Sequence, residues 1–127
     1  MSKTDPSKPK SELEADHVTG HRHRLKNRFL NAGVAGLQDY ELMELILFRT
    51  IPRGDVKPLA KRLIAEFGSF AAAISAPRAR LLEFKGVGES VATDFKVIEA
   101  AVQQFIRGGI DKRQVLGSWS EIGRAHV

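Results

Sequence analysis

The chain has no cysteine among its 127 residues. That excludes disulfides and thiolate metal sites, and it is compatible with a cytoplasmic protein. A run of about 18 apolar residues is also missing, so no transmembrane helix and no membrane partner are expected. Met1 to Lys10 is polar and rich in Pro, Ser and Lys; without an apolar stretch it does not read as a secretory signal. No segment alternates with period two, which leaves no signal for a strand pair. Acidic residues are absent from one short stretch. Residues 20–30 hold Arg22, Arg24, Lys26 and Arg28 with no Asp or Glu, and so carry +4 in a chain of net charge +5. A concentrated basic stripe of this kind is either a footprint for phosphate or a solvated helix face.

What is present is helical period. Hydrophobic residues make up 43% of the chain, enough for one packed domain. Met1 to about Asp16 shows no period and reads as a disordered lead-in, with the domain opening at Gly20. Leu25, Phe29 and Leu30 then share one face of a basic helix to Asn31, which Gly33 and Gly36 end. Asp39 is placed to cap a second helix. Its Leu42, Met43, Leu45, Ile46, Leu47 and Phe48 lie on nearly every side, the pattern of a core helix. Val56, Leu59, Ala60, Leu63, Ile64 and Phe67 form the stripe of a third helix, with Asp55 as cap, Pro58 in the first turn and Gly68 as the left-handed stop. Short helices are expected over Phe70–Ile74 and Arg78–Phe84, then a long one over Glu89–Arg107 whose buried face is Val91, Phe95, Ile98, Val102 and Phe105. The expected fold class is all-α, a compact bundle of about five helices.

The densest motif is Leu81-Leu82-Glu83-Phe84-Lys85-Gly86-Val87-Gly88-Glu89-Ser90-Val91-Ala92, which has the pattern of a helix-hairpin-helix. Gly86 and Gly88 permit positive φ and the close approach of a second backbone. Val87 is placed to plug the gap between the helices, and Ala92 lets them cross closely. The first N–H groups of the following helix, at Glu89 and Ser90, are unpaired and favour an anion. Such a site holds backbone phosphate and reads no bases. Glu89 and Ser90 stand where a base would help, with Lys85 as an offset, so the corner serves either DNA or a protein contact. A plain corner with glycines for packing has the same pattern. A weaker copy lies 32 residues earlier, with Ala60 matching Ala92 and the longer loop Ile51-Pro52-Arg53-Gly54; it reads as a degenerate second hairpin.

Gly20-His21-Arg22-His23-Arg24-Leu25, Asp39-Tyr40-Glu41-Leu42-Met43-Glu44-Leu45, Ile51 to Ala60, Phe67-Gly68-Ser69-Phe70 and the Gly86 hairpin occur in the order found in bacterial RadC proteins. Over Gly20 to Ser120 the chain resembles the N-terminal helical domain of that family. The resemblance implies a role in DNA repair. It also implies that a JAB/MPN domain, similar to zinc-dependent isopeptidases, should follow a linker at 110–120. Zinc is expected only in that missing domain and no cofactor in this fragment. His21-Arg22-His23 mimics the domain's His-x-His, but Asn31 and Val34 stand where its Ser and Asp belong. Glu121 to Val127 resembles the translated read-through of a sequencing adapter, so the frame is expected to be cut near Ser120.

The favoured expectation is a non-enzymatic module binding DNA without sequence preference. Lys85, Gly86, Val87, Gly88, Glu89 and Ser90 would form one contact, and Arg22, Arg24, Lys26 and Arg28 a second. The alternative is an interaction or targeting domain for the JAB/MPN domain or a repair protein.

Overall fold

A computed structural model describes residues 9–109. The expected linker and tail at 110–127, and the first eight residues of the lead-in, lie outside the described residues. Six α-helices follow one another: α1 (Lys10–Ala32), α2 (Asp39–Leu47), α3 (Lys57–Phe67), α4 (Phe70–Ser75), α5 (Arg78–Leu82) and α6 (Glu89–Arg107), with one 3₁₀ turn at Val34–Gly36. Among the described residues there is no strand, and the fold is all-α.

The first helix starts at Lys10, ten residues before the expected Gly20. Ser11 to Asp16 has no apolar stripe, but its Glu, Leu and Ala are strong helix formers, and propensity carries the helix where packing does not. Within α1 only Leu25 is fully buried. The helix stops at Gly33, whose φ of +70° no other residue type adopts easily.

The core lies between α2, α3, α4, α5 and α6. Met43, Leu47, Leu63, Leu81 and Phe95 are fully enclosed there, and Ala60 and Ala92 with them. Each of the large side chains contributes about 1.5–3 kcal/mol by leaving water. In α3 the predicted stripe is the observed one: Leu59, Ala60 and Leu63 are buried. Asp55 accepts from the Lys57 amide at 3.0 Å, and Gly68 ends the helix at φ +97°.

Three expectations change. Gln38, not Asp39, is the cap of α2; the Glu41 carboxylate accepts from its amide at 3.0 Å, while Asp39 accepts from the Phe70 amide at 3.0 Å and ties α2 to α4. Further, α2 is not enclosed by apolar residues alone. Leu42, Leu45, Ile46 and Phe48 are half-buried, whereas Glu41 and Glu44 are buried. At α6 the expected stripe is buried only in its first half. Val91 and Phe95 are enclosed, but Val102 and Phe105 are 53% and 61% exposed. The helix runs on past the helices it packs against, so its period persists after its neighbours stop.

The chain turns one kind of corner twice. Gly54 and Gly86 have φ of +92° and +97°. Helices α3 and α6 begin three residues after each, and Ala60 and Ala92, then Leu63 and Phe95, are fully buried at matching places.

Candidate nucleic-acid interface

The second corner is built from α5 inwards. The Val87 amide donates to Phe84 O at 3.0 Å and closes the turn. Val87 is buried, 6% exposed, as part of the core. At Gly86 a Cβ would lie 3.1 Å from Leu59 Cδ1, so α3 forms the floor of the turn. Gly88 is different: its backbone is extended, φ −95°, and a Cβ there would meet nothing within 4 Å. It faces open space. No side chain caps α6. The Ala92 amide is the first to bond back, to Gly88 O at 3.1 Å, so the amides of Glu89, Ser90 and Val91 precede the helical ladder. Partial positive charge therefore collects beside an open glycine.

The side chains around this opening are mixed in sign. Glu89 is exposed and bonds Arg78 at 2.7 Å, and Ser90 is exposed. Lys85 is exposed, and its backbone carbonyl accepts from Arg62 Nη2. The Arg62 guanidinium also lies over Phe84, 5.0 Å from the ring centroid.

The four bases of α1 do not form a free stripe. Arg22 donates to Gly54 O at 2.8 Å and stacks over Phe48 at 4.5 Å. Burial pulls its basicity down, against the raising effect of Asp55 and Glu44. Lys26 lies over the same ring at 5.9 Å. Arg28 grips both oxygens of Glu41, at 2.8 and 3.1 Å, and Gly36 O at 3.0 Å. This hydrogen-bonded pairing raises the Arg28 pKa and lowers that of the Glu41 carboxyl. Arg24 alone of the four makes no such contact among the described residues, its guanidinium lying back over Gly20. Most of the expected second contact is thus spent on docking α1.

Sequence reasoning missed the partner of His21. Its Nε2 lies 2.9 Å from Glu44 Oε1, and Glu44 is completely buried. The other oxygen, Oε2, has no partner among the described residues, nor has Thr50 Oγ1. The available signal was a lone carboxylate inside the apolar run Leu42–Phe48. Across the domain, Arg49 forks onto Asp94 at 3.1 and 3.2 Å, joining the first corner to α6. Among the described residues no three His, Asp or Glu side chains are grouped as a metal ion would need, and no helix is long and apolar enough to cross a membrane.

Among the known proteins similar to this chain are two of about equal similarity. A protein of Ruegeria pomeroyi is 50% identical over 106 residues, covering 84% of this chain and 47% of its own length. A protein of Rhodobacter capsulatus is 52% identical over 98 residues, covering 77% of this chain and 46% of its own. Both are UPF0758 proteins, of the RadC family. The chain spans about half the length of these curated UPF0758 relatives. No family model matches the chain, and no solved structure does.

Proposed function

We propose that this chain is the DNA-binding module of a RadC-like DNA repair protein, gripping backbone phosphate through a helix-hairpin-helix at Gly86–Gly88 without reading sequence. One observation carries the reading: the uncapped start of α6 beside Gly88, whose missing side chain leaves the approach open. Phosphate is the ligand such a helix end accepts best. Lys85 and the outward-facing Arg24 add attraction; Arg22 and Arg28 serve chiefly to hold α1 in place. The remaining half of a longer protein would supply any zinc chemistry.

The test is a binding titration with labelled duplex DNA at low and rising salt. Binding is expected, and it should weaken steeply as salt rises. Gly88→Val adds a side chain into open space, so it should leave the melting temperature unchanged and weaken binding by about tenfold, or ~1.4 kcal/mol. A folded domain that binds no DNA at low salt overturns the reading.

A protein-facing role is the second reading, favoured by the exposed apolar end of α6, where Val97, Val102, Phe105 and Ile106 are each more than half exposed. Arg24→Glu separates the two. Loss of DNA binding supports the first reading, and loss of a protein contact alone supports the second. Arg28 is unsuited to this comparison because its reversal would set a carboxylate against Glu41.

A further inference from the structure

Apart from the exposed Lys85, the Gly86 corner is poor in free positive charge. Glu89 stands at its mouth, and Arg78 is neutralised by Glu89 as Arg80 is by Glu66. The cation built into the turn comes instead from α3. Arg62 donates to the carbonyl of Lys85, the residue before Gly86, and rests on Phe84. One turn earlier on the same helix, Leu59 supports Gly86 from below. Helix α3 therefore meets the corner twice, with an apolar floor at Leu59 and a charge at Arg62. Among the described residues no carboxylate pairs with Arg62, and it is exposed.

We propose that Arg62 contacts phosphate in the DNA interface, as a fixed cation beside the Gly86–Gly88 turn that offsets Glu89. The proposal rests on the DNA-binding reading. A guanidinium carries five N–H donors in a rigid fork. The bond to Lys85 uses one donor and Phe84 covers one face of the plane, which leaves other N–H groups at the edge. Because the side chain is already held at two points, less rotamer freedom is lost when a phosphate arrives. Arginine suits the place better than lysine because its fork matches two phosphate oxygens. The position was unremarkable in the sequence, where Arg62 is one more base off the stripe of α3; only the fold brings it to a corner 23 residues away.

A residue that merely braced the turn would alter stability and leave the charge balance of binding alone. The slope of log affinity against log salt distinguishes the two roles, because it counts phosphates neutralised. The experiment measures that slope and the melting temperature for the wild type, Arg62→Gln, Arg62→Lys and Arg107→Gln, the last altering a base at the far end of α6. Arg62→Gln should weaken duplex binding several-fold and reduce the slope by about 0.9. Arg62→Lys should restore the slope with part of the affinity, and Arg107→Gln should leave both as they are. Arg62→Met, which keeps the aliphatic stem over Phe84, replaces the Gln variant if that one fails to fold. A wild type that binds while the Arg62 variants keep its slope overturns the proposal and leaves the DNA-binding reading standing. A shifted melting temperature with an unchanged slope assigns Arg62 to bracing and also overturns it. Absence of binding by the folded wild type removes both.

Discussion

The two glycine corners share a backbone and differ in what occupies them. At the first, Arg22 reaches over from α1 to hold Gly54 O, and Asp55 accepts from the Lys57 amide although Val56, not Asp55, is the N-cap of α3. At the second, nothing caps α6, and Gly88 faces open space. Charge runs the opposite way: Lys57 opens the helix after the first corner and Glu89 the helix after the second. The base therefore sits on an amide that is already engaged, and the acid on amides with no hydrogen-bond partner among the described residues. A turn pattern supplies the geometry of an anion site, but the neighbours decide whether that geometry is available.

The largest expected effect tests whether the repeat is a packing unit. Leu63 and Phe95 occupy matching, fully buried places. Phe95→Ala should cost about 3–5 kcal/mol and Leu63→Ala about 2–5 kcal/mol, read by denaturant unfolding. A small loss at either site would break the equivalence. Next come the glycines. Gly54→Ala forces a side chain into positive φ with room around it, at a cost of about 1–2 kcal/mol. Gly86→Ala meets the same strain and also Leu59 at 3.1 Å, so it should be the more damaging. Equal losses would show that Leu59 gives way freely. The smallest effects belong to the charges. Glu89→Lys should tighten DNA binding and steepen its salt dependence, with little change in stability because the Arg78 pair is a surface one. Lys57→Glu should weaken binding less than Glu89→Lys strengthens it, since the Lys57 amide is already bonded to Asp55. The reverse order would move the interface to the first corner.

Much of the fold is written locally. Helices α3 and α6 announce themselves by period, and Gly68 and Gly86 by their place after a stripe, because those signals depend on residues three or four apart. The buried end of α6 is not local: Val102 and Phe105 continue the period, but what could cover them depends on where other helices stop. The role of the α1 bases is not local either. Arg22 and Arg28 look like free charge until Gly54 and Glu41 are brought to them. The pairing of His21 with Glu44 is hidden for the same reason, and Glu44 stands in the sequence as a lone carboxylate in an apolar run. At the candidate corner, the left-handed turn at Gly86 and the burial of Val87 were legible, whereas the extended backbone of Gly88 and the reach of Arg62 to Lys85 O were not.

Helix α6 also has a mechanical meaning. Its 19 residues make a continuous rod about 28 Å long at 1.5 Å per residue, and its two ends are unlike. One end carries the open amides at Gly88; the other protrudes from the fold with Phe105 and Ile106 uncovered. Phe95 and Val91 clamp the rod near the first end, which makes the far end a lever arm. A body attached there would tilt the amide end through the shaft itself, with no need for a chain of side-chain rearrangements. Conversely, anything that fixes the amide end sets the direction in which the protruding end points.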